Sequence, residues 1–213
     1  QDLIFKSKPS RFVIRGDIKD NEFWKDKELI SKVSVGNNNS SAESLLIALE
    51  SSDFKNINSI FIMPFDTSID FDWNKLLTFI KLKNGLDGII FSHSNYPLIK
   101  WIPDEYDNLL LTNDSLVKKI NVKTDNNSSV NPIVTGYFWF PDVHKLKSNL
   151  TKFLNKSQNK NKKETMSQFC NFLIEKENLI FSYEVKDFLP LRLPLELRTY
   201  EYWIAANAIH PFR

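Results

Sequence analysis

Residues 59–77 read SIFIMPFDTSIDFDWNKLL, and this stretch decides the fold. After Ser59 the run to Met63 is apolar, β-branched or aromatic with little period-2 alternation, the pattern of a strand buried on both faces of a sheet. Pro64 and Phe65 follow, and then a carboxylate, Asp66. A helix is predicted over residues 73–82, with Asp70 or Asp72 at its N-cap and Gly85 just past its end. The next run, Asp87-Gly88-Ile89-Ile90-Phe91-Ser92, reads as a second strand. Strand, helix and strand in that order form a parallel, right-handed crossover unit. Open α/β sheets bind ligands and metals beyond the carboxyl ends of their strands, which makes Asp66 the leading candidate for a site. A turn aspartate closing residues 64–67 is the other reading of the same residue.

Toward the N-terminus, residues 11–15 read as a strand closed by Gly16-Asp17, residues 22–30 as a short helix and residues 32–35 as a second strand. Residues 36–41 form a polar loop whose serines are good helix N-caps, with Glu43, Leu45, Leu46 and Leu49 behind them. Free backbone N–H groups at such a helix start can hold an anion or a nucleotide edge; plain capping is the alternative. Toward the C-terminus, residues 98–120 carry short apolar runs broken by turn residues, as in an antiparallel meander. The run PIVTGYFWF, residues 132–140, is strongly β-forming, and its central Gly136 marks either a close approach by substrate or a bulge. Helices are expected over 142–154 and 164–176, joined by a Lys/Asn-rich loop at 157–163, then a strand over 180–185, a proline-framed turn at 190–194 and a helix over 196–208. In that last helix Leu197, Tyr200 and Ile204 share one apolar face, which is expected to dock on the domain's own sheet. Trp203 and the residues beyond it are left over for a neighbouring domain or a second subunit.

The 213 residues suffice for a single α/β domain with a real core. Charged residues are 25%, hydrophobic residues 42% and the net charge is +2. A basic excess that small gives no argument for nucleic-acid or membrane-surface binding. No apolar run approaches the roughly 20 residues of a membrane span, and there is no signal-like start. The single Cys170 excludes an internal disulfide and sits in an apolar-periodic stretch, as a core thiol does. A reducing, cytoplasmic setting is the expectation. Because the first residue is Gln1, the chain is expected to be N-terminally incomplete or part of a longer one.

The succession of residues 36–49, IFIMPFD at 60–66, DGIIFSHSNYPLIKW at 87–101, PIVTGYFWF at 132–140 and SYEVKDF…LPLELRTYEYW at 182–203 resembles the sugar-phosphate nucleotidyltransferases. The likeness is in particular to their capsule-locus branch, which includes phosphoglutamine cytidylyltransferase. It implies a Rossmann-like mixed, mostly parallel sheet flanked by helices, with a small antiparallel excursion. It also implies transfer of a nucleotidyl group from a nucleoside triphosphate to a sugar phosphate or similar small phosphate, with release of pyrophosphate, in capsule or polysaccharide biosynthesis. Carried over by position, Asp66 matches the aspartate that holds catalytic Mg²⁺, and Ser40, Ser41 and Ala42 fall where the family contacts the base. Lys123 falls at or near the lysine that meets the substrate phosphate. His93, Asn95, Gly136 and Glu196 overlie substrate-side positions.

This sequence departs from the family pattern at several points. Gly16 is the only glycine before residue 36, so the N-terminal glycine-rich loop has no counterpart in this chain. The acidic residue expected shortly before the terminal motif falls near Pro190, the motif's glycine is Arg192, and the glutamate expected before Lys123 is Val122. These changes remove charge where phosphoryl transfer needs it. They leave open a catalytically degenerate domain acting as a binding, regulatory or scaffold module. The triplet Asp70-Phe71-Asp72 leaves a weaker third reading, a nucleotide-sugar glycosyltransferase with a D-x-D metal motif; helix-capping carboxylates are its simpler explanation.

Overall fold

A computed structural model of the chain describes residues 12–15, 30–33, 40–50, 58–64, 66–122, 132–157 and 164–209. In chain order the described elements open with strands β1 (Phe12–Arg15) and β2 (Ile30–Val33), helix α1 (Ser41–Glu50), strands β3 (Ile60–Ile62) and β4 (Thr67–Asp70), and helix α2 (Trp73–Leu82). Strand β5 (Gly88–His93) leads through two 3₁₀ turns to β6 (Asn108–Leu111), β7 (Val117–Asn121) and β8 (Ile133–Phe140). Helices α3 (Val143–Ser157) and α4 (Met166–Glu175), strands β9 (Ile180–Glu184) and β10 (Asp187–Pro190), and helix α5 (Pro194–Ile209) complete the order. Of the helix read at 22–30, residues 22–29 lie outside the described residues and Ile30 begins β2; the loop at 36–39, Lys123 and the lysine-rich loop at 158–163 also lie outside them.

The chain divides into two compact units, residues 1–58 with 142–169, and residues 59–141 with 170–213. In the first, β1 and β2 pair in parallel, and α1 packs against α3. Ala48 and Leu49 of α1, Leu146, Leu150 and Phe153 of α3 and Phe169 are buried, the last two with ring centroids 5.6 Å apart. The second unit holds a six-stranded sheet in the order β7-β6-β8-β5-β9, with β3 also on β8, and a separate β4–β10 ribbon.

Strand β8 shapes that sheet. Its residues other than Gly136 are β-branched or aromatic and almost all buried, and it runs antiparallel to β3, β5 and β6. It therefore lies between β3 and β5, the two strands expected to be joined by a direct parallel crossover. The pairings among the described strands are antiparallel except β1–β2 and β5–β9. The strand buried on both faces is β5, whose Gly88 to Ser92 are all buried between β8 and β9. Ile60 to Ile62 of β3 are only half-buried and Met63 is 47% exposed, because β3 takes a described partner along one edge alone. The core under α2 gathers Leu76, Phe79 and Ile80 with Ile89 and Phe91 of β5 and Phe61 of β3. The expected meander survives as the β6–β7 hairpin. Its outer edge is closed by Asn171, whose side chain accepts from the Ile120 N–H and donates to the Ile120 carbonyl, both at 2.8 Å.

Helix α5 departs from its expected packing. Glu196 is buried and Thr199 and Tyr200 are half-buried, whereas Leu197 and Ile204 stand 43% and 52% exposed. One turn further on, Tyr202 and Trp203 are exposed as well, so the apolar face expected to dock on the sheet is only partly docked. Among the described residues no helix is long and apolar enough to cross a membrane.

Candidate functional site

Asp66 follows the end of β3 and immediately precedes β4. The alternation in β4 turns Thr67 in and leaves Ser68 and Asp70 out, so this short strand forms a ribbon with β10 in which Thr67 pairs with Pro190 and Asp70 with Asp187. Proline lacks an N–H and is tolerated at such a ribbon end. The next residue closes the pairing: the Leu191 N–H donates to the Asp66 carbonyl at 2.9 Å. The carboxylate is half-buried, and its Oδ1 is 3.4 Å from the Thr67 hydroxyl. From the sheet, the buried Tyr137 of β8 donates its hydroxyl to the Thr67 carbonyl at 2.6 Å. Burial, and then the negative charge of Asp66, raise the pKa of that hydroxyl. Asp66 is thus the residue that opens a ribbon held by Tyr137 and Leu191, and not the end of a central parallel strand.

Gly136 neighbours this group. It has φ +90°, and a Cβ there would sit 3.2 Å from Cγ of Pro64. The β5–β8 register slips at the same place, Ile90 facing Phe138 and Ser92 facing Val134. Gly136 therefore occupies a bulge pressed by Pro64, and the bulge alternative accounts for its position.

A second cluster surrounds Glu196. Pro194 occupies the first turn of α5, where its missing N–H costs nothing. Two residues later, Glu196 is 2% exposed. Its Oε2 accepts the backbone N–H groups of Arg192 and Leu193, both at 2.9 Å. Its Oε1 accepts the hydroxyls of Tyr106 and Tyr96. Glu196 was expected to touch substrate. A carboxylate this buried and this fully engaged instead organises the turn that leads into α5. Tyr96, Tyr106 and Phe188 pack edge to face, with centroids 5.3–6.0 Å apart. Burial first, then the charge and hydrogen bond of Glu196, raise the Tyr96 pKa, and Arg192 opposes the shift. His93 joins the cluster with its ring centroid 6.0 Å from that of Phe188 and its Nδ1 3.3 Å from the Val185 carbonyl. Asn95 is exposed just beyond. The structure thus links Asp66 to Glu196 through 191–193, and Glu196 to His93 through the aromatic rings.

Ser40, Ser41 and Ala42 lie in the first unit and are engaged locally. Ser40 and Glu43 form a capping box: the Ser40 N–H donates to Glu43 Oε2 at 2.7 Å, and the Glu43 N–H to Ser40 Oγ at 3.2 Å. Ser41 Oγ accepts the Met166 N–H, and the fully buried Ala42 donates its N–H to the Glu164 carbonyl at 3.4 Å. The N–H groups of residues 42–44 all have partners within the protein. In the D-x-D triplet, Asp72 is the N-cap of α2, accepting from Asn74 N and Lys75 N, while Asp70 pairs with Lys186 at 3.4 Å on the surface.

The donor set at Asp66 fits Mg²⁺ in one form only. Among the described residues no group of three or more His, Cys, Asp or Glu side chains could hold a metal, and Asp66 offers one carboxylate. Mg²⁺ accepts one or two carboxylates when substrate phosphates complete its shell. A nucleotide-bound ion therefore suits the site, and a bare ion does not. Reading the sequence singled out neither Tyr137 nor Tyr106, which fix the two ends of this arrangement. Tyr137 lies in an apolar run and Tyr106 in the acidic turn PDEYDN, and only the fold gives either hydroxyl its partner.

No protein-family model and no curated protein sequence matches this chain. Solved structures do. A nucleoside-diphosphate-sugar pyrophosphorylase from Vibrio cholerae RC9 superposes with TM-score 0.68 at 17% identity, over 93% of this chain and 82% of the other. An inositol-1-phosphate CTP transferase from T. maritima gives 0.66 at 12% identity, over 95% and 78%. HddC from Yersinia pseudotuberculosis gives 0.62 at 13% identity, over 92% and 79%. At such identities the likeness is one of fold, and it agrees with the α/β architecture expected from the sequence.

Proposed function

We propose that this chain is a nucleotidyltransferase that moves a nucleotidyl group from a nucleoside triphosphate to a sugar phosphate or similar small phosphate. The observation that carries the reading is the likeness, over more than nine-tenths of the chain, to structures named as a sugar-nucleotide pyrophosphorylase and a CTP transferase. In the reaction an acceptor phosphate oxygen bonds to the α-phosphorus while the bond to the β-phosphate breaks, and pyrophosphate leaves with the electron pair. No protein nucleophile is needed, since positioning and charge carry such chemistry. Asp66 would hold Mg²⁺, which when bound neutralises phosphate charge. The Leu191 N–H on the Asp66 carbonyl and the Tyr137 hydroxyl on the Thr67 carbonyl hold the backbone that follows that carboxylate, so its position is set before ligand arrives. Lys123, at the position implied for the acceptor phosphate, and Ser40–Ala42, at that for the base, belong to the same proposal, as does capsule or polysaccharide biosynthesis as its setting. The exposed end of α5 is offered to a second subunit or a neighbouring domain.

One observation favours a second reading, a nucleotide-binding module that has lost chemistry. Pro190 faces Thr67 where a second carboxylate would complete a metal site, so the charge there is low. Pyrophosphate release from each nucleoside triphosphate with sugar 1-phosphates, in the presence and absence of Mg²⁺, separates the two. The enzyme reading expects Mg²⁺-dependent release that falls on the order of 100-fold in Asp66→Asn. Mg²⁺–nucleotide binding that requires Asp66 but produces no pyrophosphate supports the module. Binding and turnover indifferent to both Mg²⁺ and Asp66→Asn refute the metal site.

A further inference from the structure

Arg192 is a cation with a fixed backbone and, among the described residues, no acidic partner for its head. Its N–H is held by Glu196 at 2.9 Å, and the N–H of the preceding Leu191 is held by the carbonyl of Asp66 at the same distance. Its guanidinium lies over the ring of the buried Tyr106, 4.6 Å from the centroid. No carboxylate among the described residues is within ion-pairing distance of it, and the residue is exposed. Glu196, the nearest acid in sequence, directs its oxygens to two N–H groups and two tyrosine hydroxyls instead. A guanidinium stacked on an aromatic face keeps its five donors at the edge of its plane, in the fork that matches phosphate oxygens. Fixing the backbone and stacking the head also removes much of the entropy that a free arginine would lose on binding.

We propose that Arg192 is a phosphate-binding residue, forming with the Asp66 end of the β4–β10 ribbon a subsite for a phosphate group of the substrate pair. The assignment deepens the nucleotidyltransferase reading and rests on it for the identity of the phosphate, which belongs either to the nucleoside triphosphate or to the acceptor. Asp66 supplies the negative group that suits a metal, and Arg192 supplies positive charge for phosphate that a single Mg²⁺ leaves uncompensated.

Calorimetric titration of the full-length protein with inorganic pyrophosphate, Mg²⁺–CTP and glucose 1-phosphate tests this in wild type, Arg192→Gln, Arg192→Lys and Asp66→Asn. Loss of one charge-assisted contact should weaken the affected probe about tenfold in Arg192→Gln. Arg192→Lys should fall between, keeping the charge and losing the fork. Because Arg192 is exposed, both variants should melt within about 2 °C of wild type. Weakened pyrophosphate and CTP place the nucleotide phosphates at Arg192, and weakened glucose 1-phosphate places the acceptor there. Mg²⁺–CTP binding lost in Asp66→Asn but unchanged in Arg192→Gln, with the other probes also unchanged, overturns the subsite and leaves the nucleotidyltransferase reading standing. Pyrophosphate binding that depends on Arg192 without any nucleotide binding keeps the subsite and removes that reading. Wild type that binds none of the probes overturns both.

Discussion

Gly136 shows how one residue sets the geometry beside Asp66. Its φ of +90° lies where L side chains are strained, and Pro64 stands 3.2 Å from where a Cβ would be. Gly136→Ala should therefore cost about 1–2 kcal/mol, the strain and the contact adding. Urea denaturation followed by fluorescence measures it, and an unchanged midpoint would mean that the bulge relaxes freely. Pro64 lies two residues before Asp66, so the same variant should also weaken any Asp66-dependent Mg²⁺–nucleotide binding. The sequence marked Gly136 as special because glycine inside a β-forming run needs a reason. It could not say that the reason is a proline just past the end of β3, since 72 positions separate the two residues along the chain, counted from 64 to 136.

Among the elements, α2 was read to its ends from sequence, because its apolar period, its N-cap Asp72 and the φ +70° glycine at 85 are local signals. Strand β4 was missed, being four residues with Ile69 its one apolar side chain and stable only because β10 pairs with it. Helix α5 was read correctly in extent and incorrectly in packing. Its inward residues are Glu196, Thr199 and Tyr200, while Leu195, Leu197, Tyr202, Trp203 and Ile204 are 43–66% exposed. A helix turn so apolar and so exposed contributes little to the fold of its own unit. Removing residues 204–213 should leave far-UV circular dichroism nearly intact and alter the mass measured by light scattering. Loss of the folded spectrum would show that this tail belongs to the core.

At the scale of the molecule, buried titratable groups make alkaline pH the weak side of its stability. Burial raises the pKa of Tyr96, Tyr137 and Tyr183 above the ordinary 10.0 and that of Cys170 above 9.0, with neighbouring carboxylates adding to the tyrosine shifts. Each of these groups is neutral when protonated and binds its proton more tightly in the folded state. Its contribution is complete below the unfolded pKa and is lost as pH rises toward the folded one. The melting temperature should accordingly be flat between about pH 7 and 8.5 and fall steadily above about pH 9–10. Cys170, fully buried, should react with a thiol reagent only on unfolding. A melting curve unchanged to pH 11, or a thiol that reacts at once in the native protein, would contradict the burial described.

The sequence by itself determined the α/β class, the order of most helices and strands and the core role of Cys170, because hydrophobic period, caps and glycines act over a few residues. Tertiary structure alone decided that β8 lies between β3 and β5, that Asp66 opens a ribbon with β10, and that Glu196 is bound by Tyr96, Tyr106 and the 192–193 backbone. Strand order and the partners of buried polar groups depend on contacts between segments far apart in sequence. A carboxylate written at position 196 reads the same whether it meets a substrate or two tyrosines. Only the pairing of β10 with β4, and the turn after it, brings Arg192 to the face of Tyr106.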